Sequence, residues 1–201
     1  AGGAGNDTYT VDNIYDEVWE FAGEGTDDLV ESSVSFTLGA NIEKLTLTGS
    51  TAVSAPGNAS ANTLTGNSIA NSIDGGAGVD SLIGAAGNDT YFADDSLDAI
   101  YEVSSQGTDW VVISANNYTL GSEVENLTYT GTGNATFVGN ASANIIDARV
   151  TGTNNLSGLA GDDTLIVDAS RIGTLNGGAD NDSLRFVGTA GMTLGDSDFG
   201  G

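Results

Sequence analysis

Large apolar residues recur along this chain at intervals of nine or ten positions, and glycine-rich polar segments separate them. Between Gly57 and Phe92 the chain divides into four nine-residue units without a gap. Each unit has glycine first, aspartate or asparagine sixth and a large apolar residue eighth. The same frame fits residues 2–10, 139–147, 158–166 and 177–185. The eighth positions are Leu64, Ile73, Leu82 and Tyr91, and later Ile146, Leu156, Leu165, Leu175, Leu184 and Leu194.

This pattern predicts an all-β fold, a parallel β-roll or β-solenoid built from short strands and Gly/Asp-rich turns. Glycine permits positive φ, so the first half of each unit is a tight turn. The second half is a short strand with one side chain pointing inward. Because so short a strand is unstable alone, copies must stack. Two units would close one coil of about 18 residues, with the eighth-position residues forming the core.

A longer repeat is superimposed on the short one. Residues 5–64 align without a gap with residues 87–146, an offset of 82 positions (87 − 5), and nearly half of the aligned residues are identical. We therefore expect one continuous repeat module over residues 1–201. It contains two 82-residue repeats, 5–86 and 87–146 onward, and then nonapeptide coils over 147–201. Since Ala1 begins inside a repeat, we also expect the chain to be a fragment of a longer one.

The charge of the chain is unusual for a folded protein. It carries 28 acidic residues against 4 basic ones, a net charge of −24, and it has no cysteine and no histidine. This charge disfavours nucleic acid and anionic membranes as partners, and no apolar stretch is long enough to span a bilayer. Such an excess of acids opposes compaction, so we expect bound cations. Calcium is favoured because it takes oxygen ligands.

The units resemble the calcium-binding nonapeptide of RTX (hemolysin-type) proteins, glycine-glycine-x-glycine-x-aspartate-x-apolar-x. Residues 2–10 and 75–83 match every fixed position. Residues 84–92, 158–166 and 177–185 depart at Ala85, Leu159 and Asp180. Residues 20–56 and 102–138 match only as the spacer of long hemolysin-type repeats, and the sequence does not predict the structure of the spacers 31–56 and 113–138.

The resemblance implies a β-roll with several calcium ions between stacked turns, bound by sixth-position side chains and by backbone of the glycine-rich turns. The aspartates pair as Asp80 with Asp98, Asp89 with Asp109, Asp163 with Asp182 and Asp7 with Asp27. The pairs Asn62 with Asp80 and Asn71 with Asp89 should bind weakly or stay empty. The implied site residues are Gly2, Gly3, Gly5, Asp7, Asp27, Asn62, Asn71, Gly75, Gly76, Gly78, Asp80, Gly84, Gly87, Asp89, Asp98, Asp109, Asn144, Gly158, Gly161, Asp163, Gly177, Gly178, Asp180 and Asp182.

Two of these interpretations have a structural alternative. Aspartate and asparagine in glycine-rich turns also cap turns by bonding to backbone N–H groups. Trp19 and Tyr101, which are 82 positions apart, could stack on a polysaccharide or could pack on the sheet surface.

Two functions fit the sequence. The first is a calcium-binding structural module of a large secreted surface, adhesin or matrix protein, which self-associates or continues into further repeats. The second is the C-terminal secretion and folding module of an extracellular hydrolase, lyase or epimerase. Both place the chain outside a bacterial cell, exported by type I secretion. Intrinsic catalysis is not expected, because a smooth stack of rungs offers no cleft in which carboxylate pKa values are driven apart.

Overall fold

The computed structural model describes residues 1–51, 53–150 and 152–188. These residues form eighteen short strands and no helix, and the chain separates into two compact units, residues 1–109 and 110–201. The predicted all-β, parallel β-solenoid fold is confirmed. In the described ranges there is no helix with the length and apolarity needed to cross a membrane. The predicted apolar position at Leu194 lies outside the described residues.

The first unit contains nine strands, and all their pairings are parallel. One sheet runs β1-β2-β3-β5-β7-β9, and β4, β6 and β8 stack in order on the other side of the coil. The strands are β1 (Thr8–Val11), β2 (Leu29–Ser32), β3 (Lys44–Leu47), β4 (Ser54–Pro56), β5 (Thr63–Thr65), β6 (Ser72–Asp74), β7 (Ser81–Ile83), β8 (Thr90–Ala93) and β9 (Ala99–Tyr101).

The second unit repeats this arrangement with strands of up to eight residues. Strands β10-β12-β14-β16-β18 stack on one side, and β11-β13-β15-β17 form the other sheet. The strands are β10 (Trp110–Ile113), β11 (Asn117–Thr119), β12 (Asn126–Tyr129), β13 (Ala135–Val138), β14 (Ile145–Ala148), β15 (Asn154–Ala160), β16 (Thr164–Asp168), β17 (Ile172–Ala179) and β18 (Ser183–Val187).

The register confirms the predicted coil length where the nonapeptides are regular. Thr63 lies beside Ser81 and Ser72 lies beside Thr90, 18 positions apart in each case. The spacers change the length of the coil but do not interrupt the stack, since β3, β4, β11, β12 and β13 arise in them.

The core is a narrow ladder to which most strands contribute one or two inward side chains. Leu64, Ile73, Leu82 and Tyr91 are fully buried, as the eighth-position rule predicts. Ile146, Leu156 and Leu165 are also buried, whereas Leu175 and Leu184 are half-buried. So thin a core buries little apolar surface per residue, and the turns therefore matter more to stability than in an ordinary domain.

Candidate metal centre

The sixth-position side chains stack in rows along the turns, and backbone hydrogen bonds hold one oxygen of each carboxylate. Within unit 1, the N–H of Asn62 donates to Oδ1 of Asp80 at 2.7 Å, and the N–H of Asp80 donates to Oδ1 of Asp98 at 2.9 Å. The second row runs from Asn71 through Asp89 to Asp109, with distances of 2.6 and 2.8 Å.

Unit 2 contains a matching row. The N–H of Asn144 donates to Oδ1 of Asp163 at 2.7 Å, and the N–H of Asp163 donates to Oδ1 of Asp182 at 3.1 Å. Three predicted pairs, Asp80–Asp98, Asp89–Asp109 and Asp163–Asp182, are therefore neighbours in the structure. In each of these rows, Oδ1 of a carboxylate accepts the N–H of the sixth-position residue one coil earlier.

The second oxygen of these carboxylates points to a ligand. Oδ2 of Asp7, Asp28, Asp80, Asp89 and Asp163 is buried and finds no hydrogen-bond partner among the described residues. Asp80, Asp89 and Asp163 expose only 2%, 1% and 1% of their surface. A buried, unpaired carboxylate oxygen is strongly disfavoured. All the donor atoms are oxygens, so the arrangement fits a hard cation such as calcium.

The pKa values of these aspartates also show that burial disfavours their ionised form. Burial raises the pKa of Asp80, Asp89 and Asp163 to about 6, although each accepts a backbone hydrogen bond that opposes the shift. The adjacent carboxylates Asp98, Asp109 and Asp182 raise these pKa values further. Burial also raises the pKa of Asp98. A nearby cation reverses such shifts, because it favours the charged form of each carboxylate.

Glycine at the first position is required by space rather than by backbone conformation. A Cβ on Gly75 would contact Oδ2 of Asp80, and one on Gly158 would contact Oδ2 of Asp163. The same crowding applies at Gly2, Gly84 and Gly177, where the carboxylates are those of Asp7, Asp89 and Asp182. The carboxylate of each unit therefore folds back over its own first glycine.

The second and fourth positions have positive φ, which explains why they are usually glycine. This group includes Gly3, Gly5, Gly76, Gly78, Gly87, Gly161 and Gly178. Ala85 (φ 75°), Leu159 (φ 84°) and Asp180 (φ 79°) keep the same conformation at the positions where the sequence departs from the repeat. The frame therefore persists through its exceptions, and Oδ2 of Asp180 accepts a hydrogen bond from the N–H of Gly161.

The asparagines in these rows form hydrogen bonds with neighbouring backbone groups. Oδ1 of Asn62 accepts the N–H of Asn58 at 2.7 Å, and its Nδ2 donates to the carbonyl of Ile42 at 3.2 Å. Asn144 does the same with Asn140 and Val124, at 2.8 and 3.1 Å. Asn71 accepts the N–H of Asn67 at 2.7 Å. At these three asparagines the contacts are those of the turn-capping alternative.

Capping also accounts for one aspartate of the predicted pairs. Oδ2 of Asp98 accepts the N–H groups of Asp94 and Asp95 at 3.2 and 3.1 Å, while its Oδ1 is held by Asp80. Asp182, the partner of Asp163, is half-buried. In both pairs the buried oxygen left over belongs to the first aspartate.

The structure places Asp28, not Asp27, beside Asp7, which corrects the predicted pair. The N–H of Asp7 donates to Oδ1 of Asp28 at 2.7 Å, whereas Asp27 is exposed and forms a 2.5 Å ion pair with Lys44. The reason is the register of β2, in which Thr8 lies beside Leu29. The sequence held a signal for this shift: a gapless offset of 82 would give the exposed Glu31 the inward position of Ile113.

Two glutamates near the rows were missed by sequence reasoning. Glu20 lies with Asp7 and Asp28, and Glu102 lies with Asp89 and Asp109; in each group the carboxylate oxygens are within 4.8 Å of one another. Burial raises the pKa of Glu102 to about 7, and Asp109 and Asp89 add to the shift. The available signal was that Glu20 and Glu102 are identical residues 82 positions apart.

Trp19 and Tyr101 lie on the surface and not in the core. They are 65% and 57% exposed, so the predicted sheet-surface packing does not cover them.

Stacked glycine turns with buried, unpaired carboxylate oxygens define a β-roll with oxygen-only sites for hard cations. A family model described as RTX calcium-binding nonapeptide repeat (4 copies) matches residues 56–91 and 150–170. These two segments therefore match calcium-binding repeats of the RTX type, which is the resemblance that the sequence predicted. The matched segments contain Asp80, Asp89 and Asp163. Comparisons with curated proteins and with solved structures gave no match.

Proposed function

We propose that this chain is a calcium-folded structural module of a large secreted protein, such as an adhesin or a matrix or fibre protein, at the surface of a bacterial cell. The observation that carries the proposal is a set of five aspartates, in the turns before β1, β2, β7, β8 and β16, whose Oδ2 atoms are buried without a partner among the described residues. The proposed ligands are these oxygens, together with Asp109, Asp182 and the backbone of the glycine-rich turns.

The residues prepare each site in a defined way. The N–H of the preceding coil holds Oδ1, and Oδ2 lies over the first-position glycine of its own unit, which leaves room for it. A bound calcium ion supplies the positive charge that lets two ionised carboxylates share one turn. Because the unfolded chain has no such site, the free energy of binding becomes free energy of folding.

Coupling of this kind suits a secreted protein. Extracellular calcium modules bind with dissociation constants of about 10⁻⁴ to 10⁻³ M, so they remain unloaded where calcium is scarce and fold where it is plentiful. A chain of net charge −24 would remain extended until it reaches such an environment. Type I secretion of an unfolded chain is consistent with this sequence of events.

Two long repeats built on one plan favour a structural role over the second candidate, the secretion and folding tail of an extracellular hydrolase, lyase or epimerase. The two candidates share the calcium chemistry and differ in the remainder of the parent protein. Sequencing the parent gene separates them, because further 82-residue repeats support the first and an upstream catalytic domain supports the second.

The central test is far-ultraviolet circular dichroism during a calcium titration, with magnesium as the control. We expect the β-sheet signal and the melting temperature to rise with calcium and to change little with equal magnesium. If chelation leaves both quantities unchanged, the proposal is wrong.

A further inference from the structure

Two side-chain groups in unit 1 contain a carboxylate that the nonapeptide frame does not provide. The first group consists of Asp7, Glu20 and Asp28, and the second consists of Asp89, Glu102 and Asp109. The aspartates come from the turns before β1, β2, β8 and β10. The glutamates come from irregular chain between strands, just where the coil lengthens: Asp28 follows Asp7 by 21 residues, and Asp109 follows Asp89 by 20.

Two carboxylates of the second group meet above Gly84, together with a tyrosine hydroxyl. A Cβ built on Gly84 would contact Oδ2 of Asp89, Oε1 of Glu102 and the hydroxyl of Tyr91 at once. The space above Gly84 is therefore lined by oxygen atoms of three different side chains. In the first group, a Cβ on Gly2 would likewise contact Asp7 and the hydroxyl of Tyr9.

Buried atoms without partners show that these groups are more than solvated acids. Oδ2 of Asp89, Oδ2 of Asp28 and Oε2 of Glu20 are buried and find no hydrogen-bond partner in the described part of the chain. Asp89, Asp28 and Glu20 are 1%, 0% and 8% exposed. Carboxylates within 4.8 Å of one another repel when they are ionised, and burial strengthens this repulsion.

A tyrosine holds each glutamate in place. The hydroxyl of Tyr91, which is fully buried, donates to Oε1 of Glu102, and the hydroxyl of Tyr9 donates to Oε1 of Glu20. In the first group this leaves Oε2 as the free oxygen of the glutamate. Hydrogen bonds from neighbouring side chains commonly orient the residues that bind a metal in proteins.

We propose that these two groups are cation sites of a second type, each formed by two aspartates and a tyrosine-oriented glutamate, which fasten the longest coils of the module. The proposal rests on the calcium-binding function proposed above and adds to it ligands from outside the repeat. Three carboxylates and an irregular set of oxygens suit calcium or a trivalent lanthanide better than magnesium, which demands octahedral order. These sites fill at lower calcium concentration than the pairs at Asp80 and Asp163, which have two carboxylates each.

The test is isothermal titration calorimetry of calcium into the wild type and four variants, with folding checked by circular dichroism at saturating calcium. Glu102→Gln and Glu20→Gln each keep the shape of the side chain and remove its charge, and a double variant combines them. Glu31→Gln on the exposed face of β2 is the matched control, since it removes one glutamate charge away from the groups.

We expect the number of tightly bound calcium ions per chain to fall by one in each single variant and by two in the double variant. The control should keep the number found in the wild type. If the double variant keeps the stoichiometry and affinity of the wild type, the inference is wrong while the proposed function survives. If the wild type itself binds no calcium, the proposed function fails as well.

A further variant decides the matter if Glu102→Gln does not fold. Tyr91→Phe keeps all three carboxylates and removes only the hydrogen bond to Glu102. We expect unchanged stoichiometry with about tenfold weaker binding of one ion, the lower end of what loss of such a partner costs. Unchanged affinity in this variant would contradict the role of the tyrosine-oriented glutamate.

Discussion

Replacing Asp80 by asparagine should stabilise the metal-free protein and destabilise the calcium-bound protein. Burial raises the pKa of Asp80 from an ordinary 3.8 to about 6. The ionised Asp80 therefore destabilises the folded chain relative to the unfolded chain by about 3 kcal/mol at pH 7, since each unit of pKa difference corresponds to about 1.4 kcal/mol. Asparagine carries no charge and avoids this cost.

The chain already contains the arrangement that Asp80→Asn would create. One coil earlier, Nδ2 of Asn62 donates to the carbonyl of Ile42 at 3.2 Å. Strand register puts Thr63 beside Ser81, so residues 61 and 62 offer carbonyls to position 80 as residues 42 and 43 do to Asn62. The substituted amide thus finds a ready acceptor, which limits the desolvation cost of its own burial.

The assay is urea unfolding at pH 7 in a chelator and again in saturating calcium. If the metal-free chain is unfolded, trimethylamine N-oxide titration replaces urea, since this osmolyte favours the folded state. We expect a gain of up to about 3 kcal/mol without calcium. With calcium at a hundred times its dissociation constant, we expect the loss of about 2.7 kcal/mol for each site that the variant gives up.

The control is Asp12→Asn, which removes an exposed carboxylate and should alter both free energies by less than about 0.5 kcal/mol. The reasoning is refuted if Asp80→Asn destabilises the metal-free protein at pH 7. It is also refuted if the gain is equally large at pH 4, where the Asp80 carboxyl is already protonated in the folded chain.

Three further predictions follow from the same contacts. Because burial raises the pKa of Asp80, Asp89 and Asp163 to about 6 and that of Glu102 to about 7, the folded chain holds protons that the unfolded chain releases. The free energy of unfolding without metal should therefore be highest below about pH 4 and fall as the pH rises to 7, while calcium affinity rises over that range. A melting temperature in chelator that increases with pH would contradict this. Asn144→Asp replaces an amide that donates to the carbonyl of Val124 by a carboxylate next to Asp163. Calorimetry should therefore count one more calcium ion, and the metal-free protein should be less stable. An unchanged stoichiometry would contradict the proposal that stacked carboxylates bind calcium. Gly75→Ala should lower the free energy of unfolding by at least about 2 kcal/mol and remove one calcium site, because the added Cβ meets the Asp80 carboxylate. Gly3→Ala, with open space and φ 90°, should lower it by only about 1 kcal/mol through backbone strain. Equal losses in denaturant unfolding would show that space at Gly75 is not limiting.

The sequence predicted the regular part of this fold because the nonapeptide encodes both the turn and the strand in nine residues. Leu64, Ile73, Leu82 and Tyr91 stand at one frame position, and all four are buried. Even the exceptions obey the frame, since Leu159 and Asp180 take the positive φ that glycine normally provides. Periodicity of this kind transfers directly to three dimensions, because each coil templates the next.

The irregular part was less accessible, for physical reasons. Asp27 and Asp28 are adjacent acids, and only the alternation of β2, with Val30 and Ser32 inward and Glu31 outward, selects Asp28. Glu20 and Glu102 lie outside any strand, so no periodicity places them, and their approach to the aspartates depends on how a long coil returns. The spacers likewise gave no frame, although the structure stacks them into the same sheets.

The order of residues along each row determines which coils depend on the cation. In two stretches of these rows an amide is followed by carboxylates: Asn62, Asp80, Asp98 in one, and Asn144, Asp163, Asp182 in the other. The step from spacer coil to asparagine is closed by the amide alone, through the carbonyls of Ile42 and Val124. The later steps bring carboxylate onto carboxylate and leave an oxygen unpaired. We therefore expect the asparagine coils to be the least calcium-dependent parts of the module, and the aspartate coils beyond them to order only as the ion binds.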